Sequence, residues 1–171
     1  DESTGELVSW QVKKAELIKE PLRPNFWRAP IDNDYGNNFH KRCLVWKDAG
    51  KRMKLTNISL NSESVYSKIV NCTFDVLDLD SLPIAKLRLK YTVYGSGELD
   101  FAYSINITGK NLPEIPRIGM NWILPVEYDN IEWFGRGPFE NYWDRKTAAF
   151  VGLYKGKVVD QYVPYIRPQE N

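Results

Sequence analysis

The side chains best suited to acid–base chemistry are concentrated in the segment NFWRAPIDND, residues 25–34. Asp32 and Asp34 lie two positions apart, and cleavage of a glycosidic bond uses two carboxyl groups about 5–9 Å apart. The other candidate carboxyl groups are Glu132, Glu140, Asp144 and Glu170. Aspartate after a proline is above all a turn former, whose side chain binds its own backbone or a neighbouring cation such as Arg28. We therefore expect Asp32 and Asp34 to lie on a loop with a structural role.

Metal and nucleophile chemistry has few candidates. His40 is the chain's one histidine, whereas a zinc site needs three or four ligands. It is predicted to be a solvated side chain on the polar side of a helix. Cys43 and Cys72 are expected to be small buried side chains, because two cysteines make no disulfide framework. The GRG at 135–137 precedes Pro138 and no clear helix, so it does not predict a phosphate loop.

The segment 131–145, IEWFGRGPFENYWDR, combines aromatic rings with charges and chain-bending residues. One interpretation is a loop that stacks on a sugar ring and binds its hydroxyl groups. The alternative is an internal lock, in which Arg136 or Arg145 pairs with carboxylates and the aromatic rings fill the end of a sandwich. The residues alone favour the lock and leave both interpretations open.

These segments need a scaffold, and the pattern predicts strands. Apolar and polar residues alternate strictly over 84–94 and 97–107, which predicts two antiparallel strands joined by a turn at 95–97. The side chains expected on one buried face are Leu89, Tyr91, Phe101 and Tyr103. Weaker strand signals lie at 6–11, 15–19, 54–61, 64–70, 72–79, 117–125, 130–135 and 148–154. One short helix is predicted near 38–49, from the spacing of Phe39, Cys43 and Trp46. The fold class is therefore all-β, a sandwich with one helix.

Length and composition narrow the function classes. The chain has 171 residues, which suits one domain spanning 1–171. Its net charge of +1 indicates no field for nucleic acid, and no apolar run is long enough to span a membrane. An aromatic content of 13% is typical both of β-rich proteins and of carbohydrate binders. The pattern indicates no cofactor and no metal.

Four motifs resemble one family. They are LRPNFWRAPIDNDYG (22–36), LPEIPRIGM (112–120), WFGRGPFENYWDRK (133–146) and YVPYIRPQEN (162–171). In this order and spacing they closely resemble the C-terminal small-chain domain of glycoside hydrolase family 2 β-galactosidases. The opening GELVSW and the WKDAG at 46–50 fit as well, so the resemblance covers essentially the whole chain.

The resemblance implies an antiparallel β-supersandwich, similar to galactose mutarotases, in an enzyme that hydrolyses terminal β-D-galactosides. In that family both catalytic glutamates lie on a (β/α)₈ barrel, and no segment here matches the barrel. No catalytic residue is therefore carried over, and the substrate-binding residues stay undefined. The expected partners are the remaining domains, chiefly the barrel, and the galactoside indirectly; the compartment could be bacterial cytoplasm or periplasm.

The resemblance also assigns motif residues a structural role. These are Phe26, Trp27, Arg28, Asp32, Asn33, Asp34, Gly135, Arg136, Gly137, Pro138, Glu140, Asn141, Asp144, Arg145, Pro168, Glu170 and Asn171. Phe26 and Trp27 are expected as core anchors, and Arg28 as the partner of Asp32 or Asp34. The family pattern continues past Asn171, so we expect a domain truncated there. Its apolar residues at 158–171 should cause self-association, or its last residues should pack in a way that the family does not show, with Arg167 and Glu170 exposed. The alternatives are an independent carbohydrate-binding module and a mutarotase-like domain.

Overall fold

The computed structural model describes residues 1–141, 143 and 145–163 and confirms the all-β, antiparallel class. The backbone forms two compact units, Asp1–Ile123 and Leu124–Asn171. The strands are β1 (Gln11–Val12), β2 (Ala15–Glu16), β3 (Glu20–Asn25), β4 (Met53–Ser64), β5 (Ser67–Leu77), β6 (Pro83–Tyr94), β7 (Leu99–Ile107), β8 (Gly119–Ile123), β9 (Asn130–Gly137) and β10 (Phe150–Lys157). Helical segments are α1 (Asp32–Gly36), α2 (Phe39–Arg42) and 3₁₀ turns at Leu44–Trp46, Ala49–Lys51 and Val158–Gln161.

The first unit is built on a four-stranded antiparallel meander in the order β4-β5-β6-β7. The predicted hairpin is confirmed as β6 and β7, in which Leu89 is opposite Tyr103 and Tyr91 is opposite Phe101. Leu89 and Tyr91 are buried as expected. Phe101 is not, because it lies on the edge strand beside Trp10 and Trp122, and its side chain stays 40% exposed.

The helical segment, residues 39–51, closes the inner face of this sheet, but it is not one helix. Phe39, Cys43 and Trp46 are all buried, as their spacing predicted. The backbone instead makes one α-helical turn and two 3₁₀ turns, because Asn38 and Asp48 adopt left-handed conformations with φ of 60° and 56°. The pattern thus identified the buried positions correctly and the helix length wrongly.

Strand β3 was not predicted, because Pro21 and Pro24 lie within it and proline is normally excluded from a central strand. In the structure β3 pairs with β8 in a two-stranded sheet, so a proline nitrogen can face away from its partner. Leu22 is buried from this strand, and its N–H donates to the carbonyl of Leu7 at 3.2 Å. At Leu7 this isolated bridge takes the place of the continuous strand expected at 6–11.

The predicted break at residue 71 is also wrong. Strands expected at 64–70 and 72–79 are one strand, β5, in which Asn71 lies opposite Lys90 on the outer face of the sheet. The turn between β4 and β5 lies at 65–66 instead. An asparagine on the solvent side of a long strand was therefore mistaken for a turn residue.

The second unit contains the antiparallel hairpin of β9 and β10. Directly opposed pairs include Trp133 with Tyr154 and Phe134 with Leu153. After β10 a 3₁₀ turn follows, in which Val158 and Val159 are exposed. Tyr162 is exposed and Val163 is half-buried, and the part of the expected apolar strip at 164–171 lies outside the described residues.

Candidate functional site

Asp34 and Arg28 form the centre of the first motif. Asp32 and Asp34 lie in α1 rather than on the expected loop. Pro30 lies two residues before this helix begins, where proline interrupts no helical hydrogen bond. Arg28 donates through Nη1 to Oδ2 of Asp34 at 2.5 Å and through Nη2 to Oδ1 at 2.9 Å, which confirms the expected pair. Oδ2 also accepts the N–H of Ile31 at 2.9 Å, so this carboxylate caps the first turn of α1.

Aromatic rings enclose this ion pair. The Arg28 guanidinium lies 4.5 Å from the centroid of the Phe39 ring, and Trp27 stacks on Phe39 with centroids 5.4 Å apart. Phe26 packs edge-on against Trp46 at 6.1 Å. Both Phe26 and Trp27 are buried, which confirms them as core anchors. The indole nitrogen of Trp27 is buried with no hydrogen-bond partner among the described residues.

The electrostatics of Asp34 oppose acid catalysis. The hydrogen bond from Arg28 lowers the pKa of its carboxyl group, with a further contribution from the Ile31 N–H, and this outweighs the opposing effect of burial. A general acid of a glycosidase needs the reverse, a carboxyl group whose pKa is raised. Asp34 is therefore a fixed anion in this structure rather than a proton donor.

The second motif contacts the helical segment. Arg42, on α2, forms an ion pair with Glu114 of LPEIPRIGM, and the indole N–H of Trp46 donates to the carbonyl of Pro113 at 3.0 Å. Sequence reasoning did not foresee either contact. The available signal was Glu114 between two prolines, which hold the backbone carbonyls and the carboxylate in a rigid segment.

Gly50, the glycine of WKDAG, leaves less room for a Cβ than any other described glycine. A Cβ added at Gly50 would lie 1.8 Å from the carbonyl oxygen of Pro24, so β3 and the second 3₁₀ turn touch backbone to backbone. Only a residue without a side chain fits there. This explains the glycine of that motif without any role in binding.

His40 differs from its prediction. Its ring is half-buried against Tyr35, with centroids 4.9 Å apart, because α1 and α2 follow each other directly. Its Nδ1 atom is buried without a partner among the described residues. Within those residues no group of three or more His, Cys, Asp or Glu side chains could hold a metal ion.

The two thiols lie where the sequence placed them. Cys43 and Cys72 are both buried and form no disulfide, and burial raises the pKa of each thiol.

No helix in the described part of the chain is long and apolar enough to cross a membrane.

The third motif belongs to the second unit, where Arg136 is the organising residue. Its Nη1 donates to the carbonyls of Lys146 and Ala149 at 2.7 and 2.8 Å. The indole N–H of Trp133 donates to the carbonyl of Arg136 at 2.9 Å, and Trp133 packs on Tyr154 at 5.4 Å. Arg136 is thus held by backbone carbonyls, whereas the lock interpretation required Arg136 or Arg145 to pair with a carboxylate.

The remaining residues of this motif divide between the lock and the surface. Arg145 pairs with Glu140, as the lock interpretation required. Gly137 is buried, and a Cβ there would lie 2.8 Å from the Tyr154 ring. Phe139 and Trp143 do not fill a sandwich end, because they are 46% and 83% exposed.

Other residues singled out from the sequence complete the account. Asn33 lies in α1 and Gly135 in β9, and Pro138 follows a cis peptide bond. Asn141 is exposed. The motif residues that lie outside the described residues are Asp144, Pro168, Glu170 and Asn171.

Comparison with known proteins agrees with the motifs. The family model described as "Beta galactosidase small chain" matches residues 1–171. A β-galactosidase of Priestia megaterium is 39% identical over 170 residues, covering 99% of this chain and 16% of that protein. β-Galactosidases of Halalkalibacterium halodurans and Vibrio cholerae are each 32% identical over 99% and 98% of the chain.

The chain spans only 16–17% of the length of these curated relatives. The match nevertheless runs through the whole chain, including the buried first motif and the Arg136 lock. The chain therefore belongs to the β-galactosidase small chain family.

Proposed function

We propose that this chain is a non-catalytic part of a glycoside hydrolase family 2 β-galactosidase that hydrolyses terminal β-D-galactosides. The observation that carries the proposal is the Arg28–Asp34 pair, which commits the buried carboxylate of the first motif to a structural bond. In this proposal the chain supports the catalytic (β/α)₈ barrel and the mouth of its active site. The similarity to proteins named β-galactosidase supports the substrate class.

The carboxyl groups with a shifted pKa support a non-catalytic role for this chain. Among the described residues, the carboxyl groups whose pKa departs from its ordinary value are Glu16, Asp34, Glu114 and Asp129, and in each the pKa is lowered. The first cause in each case is a hydrogen bond from a neighbouring side chain, with Ser9, Arg28, Arg42 and Lys157 as the donors. A retaining or inverting glycosidase requires one carboxyl group shifted the other way.

We further propose that both units belong to one β-supersandwich domain. One family model extends over both, which supports a single evolutionary unit. The four-stranded meander supplies one large antiparallel sheet with an apolar inner face, as a sandwich requires.

A complementation experiment tests the supporting role. The matching segment would be removed from the Priestia megaterium β-galactosidase, and this chain would be added or fused in its place. We expect no hydrolysis of a nitrophenyl galactoside by this chain alone and recovery of activity in the hybrid. Turnover by the purified chain alone that is lost on mutating Glu140 or Asp34 would contradict the proposal.

One observation favours a second function, binding of a carbohydrate by the chain itself. Trp143 is 83% exposed, and an exposed indole is a typical sugar-stacking surface. The Lys146 ammonium lies 3.7 Å from the centre of that ring, however, and occupies one of its faces. Titration with lactose, followed by tryptophan fluorescence in wild type and Trp143→Ala, decides between support alone and direct binding.

A further inference from the structure

The outer face of the meander carries a row of cations on its third strand. Lys86, Arg88 and Lys90 are exposed, whereas the intervening Leu87 and Leu89 are buried. Alternate residues of a strand point to the same side and lie about 7 Å apart. The three charges therefore form a straight row about 14 Å long in the middle of the sheet rather than at its edge.

The acidic residues of this face neutralise only part of that row. Asp75 lies opposite both Lys54 and Lys86 and pairs with Lys86 at 2.8 Å. Asp100 lies opposite Thr92 and accepts the hydroxyl of Tyr94 at 3.0 Å. Arg88 and Lys90 have no carboxylate partner among the described residues.

The positions directly opposite Arg88 and Lys90 are uncharged, and most of them carry hydrogen-bonding groups. Across the neighbouring strands Arg88 lies opposite Thr73 and Ser104, and Lys90 lies opposite Asn71. The chain as a whole has a net charge of +1, so this positive row is a local feature and not part of a general basic surface. Uncompensated cations among hydroxyl and amide groups suit a ligand that has both anionic and hydroxyl groups.

We propose that this face, defined by Lys86, Arg88 and Lys90, binds an anionic polysaccharide. Its sulfate or carboxylate groups contact Arg88 and Lys90, because the planar guanidinium fork matches the geometry of such oxyanions. Its hydroxyl groups are bound by the Asn, Ser and Thr side chains alongside. This binding goes beyond the proposed supporting role and is independent of it.

The same face is poorly suited to single-stranded nucleic acid, the other common linear polyanion. Proteins that bind such strands provide aromatic rings on which bases stack. Around Lys86, Arg88 and Lys90 the opposed positions are Asp75, Asn106, Thr73, Ser104, Asn71 and Ala102, none of them aromatic. Tyr94, at the end of the strand, is held by its hydrogen bond to Asp100.

Affinity measurements with the 171-residue chain test the proposal. Binding to heparin, to polygalacturonate and to uncharged dextran would be measured by calorimetry at low salt, where exposed charges are least screened. We expect binding to at least one of the two anionic polymers and none to dextran. Arg88→Ser with Lys90→Ser should weaken the binding about tenfold, because two exposed charge contacts are lost.

The matched control is Lys41→Ser with Lys47→Ser, which removes the same charge from exposed positions in the helical segment. This control should change the affinity less than about twofold if the row is the site. Equal weakening by both double variants, or no binding of either anionic polymer by wild type, would overturn the proposal. Tighter binding of a single-stranded oligonucleotide than of either polysaccharide would overturn the assigned ligand class.

Discussion

Large aromatic side chains are buried in the first unit and exposed in the second. In the first, Phe26, Trp46 and Phe74 are nearly completely buried between the meander and the helical segment. In the second, Phe134 and Phe150 are 79% and 76% exposed on a two-stranded hairpin. A meander covered on one face forms a core, whereas a hairpin alone has too few strands to bury its rings. The fate of an aromatic residue here depends on how many strands lie beside it.

The largest loss of stability is expected from a side chain added at Gly50. Gly50→Ala would place a Cβ 1.8 Å from the carbonyl oxygen of Pro24, and the backbone cannot yield without disrupting β3. We expect a loss of at least about 3 kcal/mol in the free energy of unfolding, measured with urea. Gly36→Ala is the control, since nothing lies within 4 Å of its added Cβ, and it should be neutral or slightly stabilising.

The next largest effect should come from the ion pair. Arg28→Ala leaves Asp34 buried as an unpaired carboxylate, at a cost of about 3 kcal/mol, the lower end of the range because part of Arg28 is solvated. The exposed pair Arg42–Glu114 provides the control, and Arg42→Ala should destabilise the fold much less than Arg28→Ala, because solvent screens an exposed pair. Equal losses in the two variants would show that burial of Asp34 is not what makes the pair important.

The pH dependence of unfolding tests the Arg28–Asp34 pair by a second route. Because Arg28 lowers the pKa of Asp34 in the folded state, the pair stabilises the fold above the unfolded pKa of about 3.9 and loses that contribution as the pH falls further. The stability difference between wild type and Asp34→Asn should therefore shrink from pH 7 to pH 2. A difference that stays constant across this range would contradict the lowered pKa.

The smallest effects should separate the aromatic residues of the two units. Phe101→Ala is expected to cost about 1–2 kcal/mol, less than a fully buried phenylalanine, because its ring is 40% exposed. Phe134→Ala should cost less than about 0.5 kcal/mol. Thermal or urea unfolding measures both, and a larger loss for Phe134 would mean that its face of the hairpin is covered in solution.

Much of the first unit could be predicted from the sequence, because its signals are local. Strict alternation predicted the β6–β7 hairpin, and the short spacing around Pro30 predicted that Arg28 bonds Asp32 or Asp34, of which the structure shows Asp34. Periodicity also identified the buried face of the helical segment. Each of these needs only neighbours in the chain to form.

The missed features depend on partners far away in the chain. Strand β3 exists because β8 pairs with it, which the local prolines concealed. Gly50 is explained only by Pro24, and Arg42 only by Glu114. The exposure of Phe101 was missed for the same reason, since alternation shows which side a ring is on but not whether anything covers that side.

The pairing of β3 with β8 has a consequence for how the first unit folds. Hairpins β4–β5, β5–β6 and β6–β7 close short loops, whereas β3 and β8 come from the two ends of the unit. A contact between distant segments forms late, because its loop-closure entropy is repaid only after the intervening chain is ordered. The amide hydrogens of β3 and β8 should accordingly exchange with solvent sooner than those at the centre of β5 and β6.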